Sequence, residues 1–289
     1  MAKESDASAP SIPREPVIRL RDAELRFGPR VLWHDLDLDV APGEFIAVLG
    51  PNGTGKTSLL KVLLGQNSLS SGTAEVAGAA VHSGNPAIGY IPQQRGIDPH
   101  TPMRGRDLVR MGIDGHRWGM SLFSRGRRKK VDELLAAVGA TDYADAPAGT
   151  VSGGELQRLR VAQSLANDPS VLLCDEPLLS LDMHHQKVVA SLLNEQRVRR
   201  EAAVVFVTHE INPILPYVDR VLYIVGGHFL VGTPEEVMTT ESLSRLYGSP
   251  VDVVRVGGRL VVVGGEEECV DHHDLPDDSF DIDGTVVNR

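Results

Sequence analysis

Gly50-Pro51-Asn52-Gly53-Thr54-Gly55-Lys56-Thr57 is the stretch that decides the fold. An apolar run, Glu44-Phe-Ile-Ala-Val-Leu49, precedes it, and Ser58-Leu-Leu-Lys-Val-Leu-Leu64 follows with helical spacing. Strand, glycine loop and helix in this order put G-x-x-x-x-G-K-[ST] at a turn. The glycines let the backbone curl so that successive N–H groups point inward as an anion nest. The following helix turns its positive end toward the same anion. Lys56 can then reach β/γ-phosphates, and the Thr57 hydroxyl can ligate Mg²⁺. The residues point to a nucleoside triphosphate as ligand.

The chain has 289 residues, enough to bury a large core in one or two domains. Its longest apolar runs, such as Val221-Leu-Tyr-Ile-Val225, have the length of strands, far short of the about 20 residues of a spanning helix. Met1-Ala-Lys-Glu-Ser-Asp-Ala-Ser8 lacks the apolar core of a signal peptide. Two cysteines, Cys174 and Cys269, make no disulfide framework, so a cytosolic location is expected. The net charge of −10 is uneven: of 39 acidic and 29 basic residues, nine acidic and one basic lie in 266–289. The remainder is nearly neutral, with no nucleic-acid footprint.

Residues 1–16, with Pro10, Pro13 and Pro16, read as a disordered arm. Val17–Arg21, Ala23–Phe27 and Leu36–Val40 alternate apolar and polar residues, as half-exposed antiparallel strands do. Phe27 stands at a turn marked by Gly28-Pro29. Two readings fit it, an aromatic that stacks on an adenine ring and a strand-end packing residue. Ser70–Thr73 reads as a turn, and Ala74–Ala77 and Ile88–Ile91 as strands, with Gln93 just beyond. Residues 95–150 read as a helical insertion rich in basic residues, among them Arg104, Arg117, Arg125, Arg127, Arg128, Lys129 and Lys130. That cluster suits a solvated face, or contact with anionic headgroups or a membrane partner.

Val151-Ser152-Gly153-Gly154-Glu155 opens a helix to about Asn167. Ser152 is a natural N-cap, and Glu155 completes a capping box. Val171–Asp175 is a buried strand that delivers Asp175 and Glu176 at its C-terminal end, where ligands of open α/β sheets sit. Asp175 there suits Mg²⁺, and Glu176 suits activation of a water. Leu178–Asp182 leads into a helix over about 184–200, and the strand Val204–Thr208 ends at His209 on the same edge. Cys174 reads as a packed small hydrophobe. Strands at Val221–Val225 and His228–Val231 and short helices around 234–247 follow. Val251–Val256 and Arg259–Val263 flank Gly257-Gly258, a hairpin signal.

In this order the motifs resemble the nucleotide-binding subunit of ABC transporters, over about residues 17–247. By position Phe27 looks like the A-loop aromatic, Gly50–Ser58 the Walker A loop and Gln93 the Q-loop glutamine. Val151–Glu155 looks like the signature, Val171–Glu176 the Walker B strand, Ser180–Asp182 the D-loop and His209 the H-loop. Val151 replaces the usual Leu, Glu155 the commoner Gln, and Phe27 the more usual Tyr. The implied fold is an α/β P-loop NTPase: an ABC nucleotide-binding domain with a mixed, largely parallel core sheet, an antiparallel β subdomain and a helical insertion at about 95–167. The implied domains are that unit at 17–247, a β-hairpin at 248–265 and an acidic tail at 266–289.

The resemblance further implies a head-to-tail homodimer with ATP between Phe27, Gly50–Ser58 and the Ser152–Glu155 and Asp182 of the opposing chain. Glu176 would be the general base, assisted by Lys56, His209 and Gln93, with Mg²⁺ held by Thr57, Gln93 and Asp175. Partners would be a separate integral-membrane permease and, indirectly, an extracytoplasmic substrate-binding protein, with the chain peripheral on the inner membrane face. Tyr90–Asp98, Pro177–Asp182 and Leu246–Arg255 are similar to the zinc/manganese/iron import ATPases. The tail, with Cys269, His272 and His273, reads as a solvated segment or a metal reporter. A different transport substrate, or a non-transport ATPase of the iron–sulfur assembly type, also fits one cassette without an internal repeat. A P-loop kinase or GTPase fits poorly with the Ser152–Glu155 helix and His209.

Overall fold

The computed structural model describes residues 15–93, 96–98, 100–114, 125–179 and 181–264. Ser180, Arg117, most of the N-terminal arm and the tail with Cys269, His272 and His273 lie outside the described residues. Three apolar runs become strands buried on both faces: β3 (Phe45–Leu49), β7 (Val171–Asp175) and β8 (Ala203–Val207). Continuous apolar runs of this length suit the middle of a parallel sheet. With β6 (Ile88–Ile91), β9 (Arg220–Val225) and β10 (His228–Gly232) they form a six-stranded sheet of order β10-β9-β3-β8-β7-β6. All neighbours in it run parallel except β9 and β10.

The alternating N-terminal segments form a separate antiparallel sheet, β2-β1-β4-β5, from β1 (Ile18–Phe27), β2 (Arg30–Val40), β4 (Ser71–Val76) and β5 (Ala79–Ala80). Here the boundaries differ from expectation. The runs at 17–21 and 23–27 are one strand, bent at Asp22, whose φ is +45°. Gly72 passes so close that a Cβ there would lie 2.2 Å from the Asp22 carbonyl oxygen. The expected turn at 70–73 is therefore mostly strand, shaped to cross the bulge. β2 begins six residues before the alternating stretch Leu36–Val40, because Leu32 and Trp33 are both buried and Asp35 takes φ +53°. A bulge breaks period-two patterning, which hides such a strand from it.

The central sheet divides the core by residue parity. Ile46 and Val48 pack with α1 (Lys56–Leu63) and the antiparallel sheet, whereas Phe45, Ala47 and Leu49 face the helical side. The helical side contains α2 (Gly105–Asp114), α3 (Arg125–Ala137) and α4 (Gly153–Ser164), the last three residues shorter than expected. The chain continues through α5 (Met183–Arg200), α6 (Pro234–Val237) and α7 (Thr240–Tyr247) to a hairpin of β11 (Val251–Val256) and β12 (Arg259–Gly264). No helix among the described residues is long and apolar enough to cross a membrane.

Candidate functional site

The loop after β3 curls as its glycines dictate, with positive φ at Gly50, Gly53 and Gly55. Gly50 is under the tightest constraint: its φ is +140°, and a Cβ would stand 2.1 Å from the Ile224 carbonyl oxygen of β9. The buried Lys56 ammonium bends back into the loop and donates to the carbonyls of Gly50 (2.7 Å) and Pro51 (2.6 Å). Burial pulls its pKa down, against the opposing pull of Glu176 and Asp175. A desolvated cation whose hydrogen bonds go to carbonyl dipoles is poised for an anion. Asn52 and Gly53 are exposed at the tip, Thr54 Oγ1 donates to the Pro51 carbonyl at 3.1 Å, and Ser58 is half-buried in the first turn of α1.

Parallel pairing of β3, β8 and β7 brings three chain segments to one edge. Thr57 Oγ1, at the start of α1, donates to Asp175 Oδ1 at 3.0 Å. The Tyr90 hydroxyl stands 3.5 Å from Asp175 Oδ2. Desolvation raises the Asp175 pKa, with the Thr57 hydrogen bond working the other way. Glu176 follows with φ +47°, an uncommon conformation for a side-chain-bearing residue, shared with the bulge residues Asp22 and Asp35. Its two oxygens are separately held: His209 Nε2 is 2.5 Å from Oε1, and Gln93 Nε2 donates to Oε2 at 3.2 Å. The Thr57–Asp175 contact and the Gln93–Glu176–His209 contacts thus meet at adjacent residues of one sheet edge, and Lys56 feels the charge of both carboxylates.

Ser152–Glu155 and Asp182 form a second group. The Ser152 side chain accepts from the Glu155 amide at 3.3 Å, and Glu155 Oε2 accepts from the Ser152 amide at 2.8 Å, a complete capping box. Asp182 caps α5, accepting from the His185 amide at 2.9 Å, with His185 Nδ1 2.8 Å from its other oxygen. The His185 ring closes against Gly154, where a Cβ would lie 3.0 Å from its Cδ2. His185 therefore ties the two helix starts together, a role the sequence reading did not assign. Gly153 and Gly154 add no side chain of their own to this positive helix end.

Phe27 is 52% exposed at the end of β1, and the turn after it reaches the phosphate loop: Arg30 donates to the Gly53 carbonyl at 2.9 Å. An exposed ring there suits stacking better than packing. The Arg30 contact had no motif to announce it.

A family model described as "ABC transporter" matches residues 33–179. The chain belongs to the ABC transporter family. It is 32% identical to the zinc import ATP-binding protein ZnuC of Halorhodospira halophila (strain DSM 244 / SL1), over 81% of this chain and 84% of the relative. It is 35% identical to the hemin import ATP-binding protein HmuV of Nocardia farcinica (strain IFM 10152), over 81% of this chain and 83% of the relative. A solved chain described as a metal-chelate type ABC transporter, in an inward-facing conformation, superposes with a TM-score of 0.73 at 25% identity, covering 86% of this chain and 96% of that one. The α/β P-loop architecture is that of an ABC ATPase, and the chain is an ATP-binding ATPase of this family.

The donor set fits Mg²⁺ on a bound nucleotide. Magnesium is commonly bound by one or two carboxylates plus substrate phosphates rather than by an all-protein cage. Thr57 and Asp175 supply one hydroxyl and one carboxylate, and among the described residues no group of three or more His, Cys, Asp or Glu stands together as a metal site.

Proposed function

We propose that this ABC ATPase powers import of a divalent transition metal (zinc, manganese or iron) or its chelate, through a separate membrane permease. The observation that carries the hydrolytic part is the Gln93–Glu176–His209 group at the sheet edge, in which Glu176 is oriented from both sides. ATP lies with its adenine on Phe27 and its phosphates in the Gly50–Ser58 loop. Lys56 exchanges the Gly50 and Pro51 carbonyls for phosphate oxygens. Thr57 and Asp175, with Gln93 nearby, would hold Mg²⁺, which would supply positive charge against the phosphates. Glu176 accepts the proton of the attacking water, and His209 fixes the carboxylate and reaches the γ-phosphate.

The Ser152–Glu155 and Asp182 group serves the nucleotide of a second copy, giving a head-to-tail homodimer that ATP closes and hydrolysis opens. Residues 17–247 form the catalytic unit, with the helical insertion conveying closure to the permease and Gln93 sensing the nucleotide. The chain sits peripherally on the inner membrane face, and an extracytoplasmic binding protein delivers substrate to the permease. The metal rests on the relatives' names, zinc and hemin import, and on the solved metal-chelate type transporter.

The test is elemental analysis of cells depleted of this chain and restored with wild type or Glu176→Gln under limiting metal supply. A selective fall in one metal, rescued by wild type alone, is expected. Unchanged zinc, manganese and iron would remove the metal and leave the ATPase.

A further inference from the structure

The hairpin β11–β12 has two unlike faces. One faces inward: Val251 and Leu260 are buried, and the Asn212 carboxamide both donates to the Leu260 carbonyl (2.9 Å) and accepts from its amide (2.8 Å). The other carries Asp252, Val254 and Val256 on β11 and Arg259, Val261 and Val263 on β12, in the pairs Asp252–Val263, Val254–Val261 and Val256–Arg259. The four valines are exposed at 43, 64, 41 and 55% in chain order. A solvated sheet face normally alternates polar residues outward, so four β-branched alkyl groups there form an interaction patch. The patch continues onto the start of α5. Arg259 donates to Met183 Sδ at 3.8 Å, and Met183, itself exposed, directly follows Asp182.

We infer that this face docks on the same face of a second copy, extending the ATP-held dimer interface past Asp182; the inference rests on the dimer proposed above. Charge complementarity selects this occupant. Asp252 and Arg259 occupy diagonally opposite corners, one at the open end of the hairpin and one at its turn. A two-fold axis lying in the face, across the line that joins them, sets each Asp252 over the partner's Arg259 and stacks the valines between. The face has six residues, against the about 20–30 a side of a stable interface. It therefore adds to a nucleotide-bridged contact and does not hold a dimer by itself.

The test is sedimentation of the full chain carrying Glu176→Gln, with and without ATP, alone and with hairpin changes. ATP should dimerise the parent, and Val254→Asp with Val261→Asp should weaken that dimer about tenfold or more. Val198→Asp, at an exposed position of α5, is the control and should leave it unchanged. Asp252→Arg and Arg259→Asp should each weaken the dimer and together restore it, a result that misfolding does not produce. An unchanged dimer in the valine variant, or no restoration in the charge swap, overturns the hairpin contact and leaves the dimer standing. A deletion of 266–289 that tightens the dimer and abolishes the valine effect overturns it too, making the tail the occupant. A parent that stays monomeric with ATP overturns the dimer and the contact together.

Discussion

His209 Nε2 lies 2.5 Å from Glu176 Oε1, while the other Glu176 oxygen takes a hydrogen bond from Gln93. The carboxylate is therefore aimed before nucleotide arrives, by groups from the ends of two other strands. Glu176→Gln keeps the shape and removes the base. Phosphate release should fall by about 10²–10⁴-fold, with nucleotide affinity retained. Wild-type turnover in this variant would remove Glu176 from the chemistry.

Asp175 carries the pH-dependent prediction. Burial raises its carboxyl above the ordinary value of 3.8. A carboxyl raised in the folded state binds its proton more tightly there than in the unfolded chain. Its stabilising contribution is full below that ordinary value and is lost as pH rises through the raised one. At neutral pH the nucleotide-free chain thus bears a buried carboxylate at a cost. Asp175→Asn removes the charge and keeps an oxygen for Thr57. Its nucleotide-free Tm should rise by about 2–4 °C at pH 7, and the gain should vanish toward pH 4. Mg²⁺-dependent hydrolysis should be lost in the same protein. A Tm at or below wild type at pH 7 would contradict the burial cost.

The parts legible in the sequence were those written in contiguous chemistry. Glycine spacing placed the phosphate loop, and apolar runs ending in Asp175-Glu176 and His209 placed two neighbouring strand ends at one edge. Ser152 and Glu155 named their own capping box. The bulges at Asp22 and Asp35 were hidden, because an extra residue shifts the inward phase and erases alternation. Contacts between distant segments were equally hidden. Arg30 on Gly53, His185 on Gly154 and Asn212 on Leu260 join residues that share no motif and meet only after folding. α2 sat unmarked within the helical insertion because Arg104, which precedes it, is not a capping residue type, and Asp107 accepts from the Arg104 amide only once the first turn has formed.

Gly50 and Gly53 offer a paired test of the phosphate loop. Gly50 meets the backbone of β9, which cannot yield, whereas a Cβ at Gly53 would meet only the Arg30 guanidinium, at 3.3 Å. Gly50→Ala should cost about 2–4 kcal/mol of unfolding free energy, and Gly53→Ala, strained only by its φ of +76°, about 1 kcal/mol. Urea denaturation of the nucleotide-free chain measures both. Equal costs would show that β9 does not constrain the loop.

Asn212 stands three residues beyond His209 and clasps the Leu260 backbone through a donor and an acceptor at once. Asn212→Ala leaves both Leu260 groups without that partner at a half-buried site, a loss of about 1–3 kcal/mol. The loss is local, because it removes one of the hairpin's polar ties while the buried packing of Val251 and Leu260 and the α7 contacts of Ser244 and Thr240 remain. Amide exchange across Val251–Gly264 should accelerate while exchange in β3, β7 and β8 stays slow. Asn212→Asp, which keeps the acceptor for the Leu260 amide and loses the donor, should fall between. Because the clasp also anchors the loop that carries His209, turnover should drop in Asn212→Ala with the KM for ATP unchanged. Fast hairpin exchange with wild-type turnover would show that the hairpin and the catalytic histidine are uncoupled.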